Sequence, residues 1–277
     1  MRFTNTKSSP VGIVPIWREA FDEKDDYIAL FLKEAAHLGQ TLCYGPKEAP
    51  YAALTLFPLY LQFGGIIYSG YYLYALGVLQ RHRGKGYGSL LVRRAHEYAR
   101  QNKGAFILLQ PTHTSLFDYY LKLGYTYAVS RSFLRCSRAT LQNAGPDLFC
   151  LLASRSAPDA NRFIWSEPMR QYILKECFFR GGALIAQTAY CYPRQDQSGI
   201  FVEIKEFKSS DSEIPLLFRG LLDHLPQADY FVFYGKADNT PPHQRQQTSF
   251  ALLHFIESEV ETLYHFNLPA YFALGLD

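Results

Sequence analysis

The chain has 277 residues, enough for two compact units of ordinary size or one large one, and either could bury a core. Charged residues make up 19% of it and aromatics 16%, with 21 Tyr and 21 Phe, which excludes a disordered chain and predicts a well-filled interior. A net charge of +3 is too small to mark nucleic acid or an acidic membrane as partner, and neither is expected.

The opening residues Met1 to Lys7 lead into no continuous apolar core of the kind a signal peptide needs, so a cytoplasmic location is expected. Val14 to Leu38 places Ile16, Ala20, Ile28, Leu30, Phe31 and Ala35 at helical spacing around a charged cluster at Asp22 to Asp26. This predicts two helical pieces or one interrupted helix. Ala49 to Gln80 carries no Asp, Glu, Lys or Arg over 32 residues, which invites a membrane-span reading. Pro50, Pro58, Gln62, Ser69 and Gly64-Gly65 argue against it, as does the Tyr and Phe content. The run reads instead as a hairpin, Tyr51 to Gln62 and Ile66 to Val78, with Gly70 as its irregularity. Tyr87 to Asn102 then changes period, with Leu91, Ala95, Tyr98 and Ala99 on one face of an amphipathic helix. A short buried strand (Ala105 to Leu109), a helix ended by Gly124 (Ser115 to Leu123) and a strand (Tyr125 to Phe133) complete the first half.

Ser137 to Thr140 and Asn143 to Pro146 read as a linker, dividing the chain into domains 1–136 and 137–277. The second half predicts a strand (Leu148 to Ala153), a helix (Ser166 to Cys177) and two strands (Ala183 to Tyr192, Ile200 to Phe207). A helix (Glu213 to Leu225) and a strand (Tyr230 to Tyr234) follow. This order is like that of the first half, without a residue-level repeat. Cys43, Cys136, Cys150, Cys177 and Cys191 show no C-x-x-C pair, so reduced core thiols are expected, with no disulfide framework and no metal site.

The run that carries chemistry is Val78-Leu79-Gln80-Arg81-His82-Arg83-Gly84-Lys85-Gly86-Tyr87-Gly88-Ser89, which joins an apolar strand to an amphipathic helix. Glycines at alternate positions let backbone N–H groups converge, the helix adds its N-terminal dipole, and Arg81, Arg83 and Lys85 add positive charge. A pyrophosphate is the natural ligand of such a cradle. The spacing fits neither the Rossmann G-x-G-x-x-G nor a P-loop, because Lys85 is followed by Gly86 rather than Ser or Thr. A glycine-rich surface turn is the plain alternative.

Arg83 to Gly88 resembles the R-x-x-G-x-G/A signature of the GNAT superfamily of acyl-CoA N-acyltransferases, with Val78 at the apolar position before it and Gln80 where proline is common. Leu116 to Tyr125 resembles the family's second signature, in which a Tyr, here Tyr120, stands four residues before a Gly-aromatic pair, here Gly124-Tyr125. The resemblance covers about Pro15 to Phe133, and the whole chain resembles two-domain bacterial members whose second half is GNAT-like without the glycine loop. It implies an α+β fold with a mixed, mostly antiparallel sheet flanked by helices, followed by a second GNAT-like α+β domain. It also implies acetyl-CoA (coenzyme A) as co-substrate and a small-molecule or peptide amine as acceptor. The strand ending at Val78 would splay from its neighbour, with pantetheine on backbone groups of Leu76, Val78 and Leu79. Pyrophosphate would lie on Arg83, Gly84, Lys85, Gly86, Tyr87, Gly88 and Ser89.

The same resemblance makes Tyr120 the general-acid candidate for the leaving thiolate; its plain alternative is a core aromatic. His113 stands where Asn is frequent, and it could bind, relay a proton or cap the next helix. His82 is expected to be an exposed loop residue beside cations that disfavour its protonated form. Tyr71 to Val78 contains no carboxylate, so the base is unassigned. Two other classes stay open: a coenzyme A-binding protein without turnover, and a basic interaction module resting on Arg81-His82-Arg83 and Arg93-Arg94. The apolar tail Leu268 to Asp277 predicts a buried strand, the alternative being a tail whose Asp277 carboxylates reach the acceptor site.

Overall fold

The computed structural model describes residues 3–6, 10–155, 161–208, 210, 212–235, 247–266 and 272. The tail read above as a buried strand, with Asp277, lies outside them except for Phe272, which is buried. The chain divides into two compact units, each discontinuous in sequence. The first comprises Met1–Ala128, Phe163–Tyr172 and Ala251–Ala270; the second comprises Val129–Arg162, Ile173–Phe250 and Tyr271–Asp277. The first unit thus takes two segments from the half of the chain beyond residue 136.

The first unit carries β1 (Phe3–Thr6), α1 (Val14–Phe21), α2 (Asp25–Glu34), β2 (Gln40–Tyr44), β3 (Ala52–Phe63) and β4 (Ile66–Val78). Next come α3 (Tyr87–Gln101), β5 (Phe106–Leu109) and α4 (Ser115–Leu121). Its sheet runs β1-β2-β3-β4-β5 in chain order and is antiparallel except between β4 and β5. The helices cover both faces. On one, Leu91, Val92, Ala95 and Ala99 of α3 pack with Leu54, Leu56, Leu73, Ile107 and Leu109. On the other, Trp17 of α1 meets Phe31 of α2 at 4.3 Å and Tyr74 of β4 at 5.8 Å between ring centroids. The acid-free, base-free stretch from Ala49 is therefore two paired strands, and no helix among the described residues is long and apolar enough to cross a membrane.

The irregularity in β4 is at Ala75, not Gly70. Gly70 pairs in register with Leu59, and glycine is required there because a Cβ would lie 2.6 Å from the Phe106 ring. The ladder passes from Thr55↔Tyr74 to Ala53↔Gly77, so Ala75 and Leu76 together oppose Leu54, and Ala75 takes φ +53°. This is a β-bulge, and the extra residue reverses the alternation of faces. Before it, Tyr71 and Leu73 point toward α3; after it, Leu76 and Val78 do.

The second unit begins in β6 (Thr126–Ser137) and adds α5 (Arg138–Gln142) and α6 (Pro146–Arg155). Nearly all of β7 (Arg162–Trp165), which pairs with β3, and the first half of α7 (Glu167–Phe179) belong to the first unit; the second resumes within α7 and adds β8 (Ala183–Ile185) and β9 (Ala189–Asp196). It continues with β10 (Gly199–Ile204), α8 (Ile214–His224) and β11 (Tyr230–Gly235). Its strands run β6-β11-β10-β9-β8, with β10 and β11 parallel and the others antiparallel. The expected linker is helical, since Ser137 caps α5 by accepting the Thr140 N–H at 3.0 Å. The strand expected at Leu148 to Ala153 is the middle of α6, a short apolar run whose period does not separate the two states. The expected strand Ala183 to Tyr192 is a hairpin, β8 and β9. Four of the five cysteines are buried and free as expected, but Cys150 is exposed on α6.

Elements unforeseen in the sequence reading are β1, β2 and β7, and near the chain's end β12 (Gln247–Phe255) and α9 (Ser258–Phe266). In the first unit β12 extends the sheet beside β5, from Leu252↔Leu109 to Phe255↔Phe106. It brings His254 onto His96 of α3, the rings stacked 3.8 Å apart and 12° from parallel. His254 Nδ1 lies 2.7 Å from the Gly124 carbonyl and donates to it, and His96 Nε2 lies 3.3 Å from the Tyr125 hydroxyl. Burial, then the His254 ring, Arg100 and Arg93, hold His96 down at about 3. Burial and Arg100 also lower His254, against the raising effects of the Gly124 carbonyl and Glu261. A histidine held neutral in the fold binds its proton in the unfolded chain first, so this stability is complete above the unfolded pKa of about 6.5 and declines as pH falls from there toward 3. Melting curves at pH 7.5 and pH 5 should show a marked loss of Tm on acidification, with a smaller loss in His96→Gln, which keeps a partner for Tyr125.

Candidate functional site

The parallel ladder between β4 and β5 consists of Tyr71↔Ile107 and Tyr72↔Leu108. Beyond it β4 continues through the bulge to Val78, while β5 ends at Leu109. A gap therefore opens after Tyr72, walled on the α3 side by Leu76, Val78 and the aromatic cluster of α4. The splay expected of the strand ending at Val78 begins after Tyr72, just ahead of the bulge.

At the open end of the gap the chain makes one 3-10 turn, Gln80–His82, and enters α3 through Gly84, Lys85 and Gly86. Gly84 and Gly86 take φ +74° and +78°, which L side chains rarely adopt, with no other atom within 4 Å of where a Cβ would stand. Gly86 is the N-cap of α3 and offers no side chain, so the first N–H groups of that helix, on Tyr87, Gly88 and Ser89, have no side-chain cap among the described residues. Ser89 Oγ donates to the Tyr119 hydroxyl at 3.3 Å, and a Cβ on Gly88 would lie 2.9 Å from the same oxygen. Uncapped donors, two more hydroxyls and the helix dipole together make a place for an anion. Lys85 and Arg81 are exposed beside it.

Other expected site groups are already engaged. Arg83 Nε donates to the Val78 carbonyl at 3.1 Å, so in this structure the guanidinium braces the loop. The Leu79 N–H donates to the Tyr51 carbonyl at 3.0 Å, and Leu79 is buried. The Gln80 N–H donates to the Glu19 carboxylate of α1, a contact that proline at this position could not make. Pro15, Glu19, Leu79, Gln80 and Arg81 line an open cavity of about 520 Å³. His82 is half-buried rather than exposed, stacked 4.0 Å from the Tyr51 ring. Its pKa is lowered, by burial first and then by Lys85 and Arg81, with Glu19 opposing.

Tyr120 is 7% exposed and packs edge-on to Tyr119 and Tyr125, with ring centroids 5.0 and 5.6 Å away. Burial, then Tyr119, raises its pKa, so it is a neutral phenol. Its hydroxyl has no hydrogen-bond partner among the described residues. His113 is exposed just before α4, and its carbonyl, not its ring, accepts from the Leu116 N–H. It does not cap the helix by its side chain. The sequence reading missed Glu19 and Tyr119. Only the first had a visible signal, a carboxylate on an amphipathic helix.

Residues 5–128 match the family model described as an acetyltransferase (GNAT) domain. Over those residues the chain is similar to a GNAT acetyltransferase domain. None of the curated proteins compared with it matches significantly. Over most of its length the chain is similar in fold to a GCN5-related N-acetyltransferase from Anabaena variabilis, at 14% identity and a TM-score of 0.62, covering 93% of this chain and 74% of that one. It is likewise similar to a probable N-acyltransferase from Enterococcus faecalis, at 12% identity and a TM-score of 0.68, covering 92% and 72%. Eis1 from Mycobacterium abscessus gives 15% identity and a TM-score of 0.62, covering 95% and 76%. The mixed α+β architecture expected from the sequence is that of a GNAT fold.

A hydroxyl with no partner contributes little to stability. Tyr120→Phe should therefore leave the urea midpoint nearly unchanged, within about 0.5 kcal/mol, whereas Tyr125→Phe, which strips His96 of its partner, should destabilise by about 1 kcal/mol.

Proposed function

We propose that this GNAT protein is a cytoplasmic bacterial N-acetyltransferase that moves an acetyl group from acetyl-CoA to a primary amine of a small molecule or peptide. The assignment carries over to residues 1–136 as the acyl-CoA-binding catalytic domain and 137–277 as a GNAT-like domain without its glycine loop. The observation that carries the reading is the uncapped N-terminus of α3 beside a gap in the sheet that narrows toward Tyr72 and Leu108. A diphosphate bound at one end and a flexible arm lying along the gap would match coenzyme A in charge and in shape.

In this reading, backbone N–H groups from Gly84 to Ser89, with Lys85, hold the pyrophosphate, and Arg83 keeps the loop tied to Val78. Leu76 and Val78 supply the wall for the pantetheine arm. The neutral amine attacks the thioester carbonyl, a C–N bond forms, the C–S bond breaks, and one proton must pass from nitrogen to sulfur. A phenol raised above its ordinary value near 10 is a weaker acid than a thiol, with a pKa near 8.5, so Tyr120 would not finish as tyrosinate. It serves as a relay, giving its proton to the thiolate as it regains one from the nitrogen. His113, exposed just before α4, stays the second candidate catalytic residue.

The second reading, coenzyme A binding without turnover, is favoured by the lack of a carboxylate from Tyr71 to Val78. Calorimetry and thiol release with acetyl-CoA and an amine panel separate the two. Gly86→Val, forced into φ +78°, should weaken coenzyme A binding at least about tenfold with the fold retained. Tyr120→Phe should bind it normally and lose about 100-fold in kcat. Wild-type affinity in folded Gly86→Val would remove the cradle, and binding with no thiol release would leave the second reading.

A further inference from the structure

Gln110 follows the last residue of β5, and its Oε1 is enclosed with no hydrogen-bond partner among the described residues. A buried acceptor left unmade is costly, and in native proteins such groups are met by water, a ligand or a mechanism. The position of this one is informative. Extending the parallel register from Tyr72↔Leu108 by two residues sets Gln110 level with Tyr74, next to the bulge at Ala75 where β4 and β5 have parted. Pro111 follows and disfavours a helical backbone at Gln110, so the strand alternation carries on through it.

That alternation decides the face. Ile107 and Leu109 pack into the α3-side cluster that contains Tyr120. Phe106 points the other way, against Gly70 and Phe163, so Leu108 and Gln110 share its face with Tyr72 and Tyr74. Tyr120 and Gln110 thus flank one gap from opposite sides. From Val78 back to Tyr74 the strand covers about 13 Å, at about 3.3 Å per residue, a span that an extended pantetheine arm can follow from the loop toward the closed end.

We propose that Gln110 Oε1 accepts an N–H of the incoming amine and so orients its lone pair toward the thioester carbonyl, on the side opposite Tyr120. This rests on the acyltransfer reading and specifies the acceptor: a nitrogen that still carries an N–H when it attacks, reaching the gap from the α1 face. Gln110 takes no proton. The nitrogen's proton goes to the thiolate through Tyr120, so the products are an amide and a free thiol.

The test uses full-length protein, acetyl-CoA, and butylamine and spermidine as probes. Gln110→Leu removes the acceptor, and Gln110→Glu keeps it. In Gln110→Leu the amine kcat/KM should fall at least about tenfold while coenzyme A affinity stays within about twofold, and the Tm without ligand should hold or rise because an unmet acceptor has gone. Gln110→Glu should recover most of the activity. Wild-type amine kinetics in Gln110→Leu would overturn the inference alone, as would a lowered Tm with lost coenzyme A binding, which would make the residue structural. A wild-type protein that binds coenzyme A yet acylates neither probe would remove the acyltransfer reading and this inference with it.

Discussion

Two residue pairs, Tyr71↔Ile107 and Tyr72↔Leu108, hold β4 against β5, and from there on the two strands go separate ways. The parting is made by one extra residue. With Ala75 and Leu76 both opposite Leu54, β4 bends away from β5 while keeping its ladder to β3 as far as Val78. An interior strand that loses one neighbour would ordinarily expose a row of backbone donors and acceptors, which is a liability in a sheet. Here the exposed row borders the α3 N-terminus, so the same break that weakens the sheet furnishes a wall for a ligand. The reversed alternation matters equally, because it turns Leu76 and Val78 toward Tyr120 rather than toward Trp17.

The loop that follows is fixed from outside. Tyr51 takes the Leu79 N–H and stacks on His82, Glu19 takes the Gln80 N–H, and Arg83 returns to the Val78 carbonyl. These contacts use up the groups nearest β4 and leave the uncapped donors at the start of α3 pointing at one place. A preorganised set of N–H groups needs little rearrangement when an anion arrives. Beneath it, Tyr120 and Tyr125 sit in the apolar cluster under α3, and Tyr125 is tied through His96 to His254 of β12. A segment close to the chain's end thereby supports the floor of the site.

Much of this was legible in the residues. The charge-free run from Ala49, its Gly64-Gly65 turn and the change of period at Tyr87 gave β3, β4 and α3 to within a residue or two, because each carries a strong periodic or turn signal. The glycine run and the Tyr120-to-Gly124 spacing carry the resemblance on which the proposed site rests. The bulge could not be read, since Ala75 has no side chain that announces a positive φ and Gly70 was the more natural suspect. In the sequence Arg83 shows its charge but not the Val78 carbonyl that its Nε meets. Ser137 was read as linker although it is a helix cap, and Leu148 to Ala153 as a strand although its neighbours Pro146 and Asp147 suit a helix start. The return of β12 to the first unit depends on long-range pairing that no local pattern encodes.

In the proposed function the uncapped turn and the gap behind it form one elongated site for coenzyme A. Amide hydrogen exchange of the full chain with and without coenzyme A reads it directly, because each backbone group reports for itself. Protection on binding should concentrate in residues 76–90 and 105–110, strongest at Gly86 to Ser89. Binding that leaves those amides unchanged and protects another surface would place coenzyme A elsewhere and contradict this site.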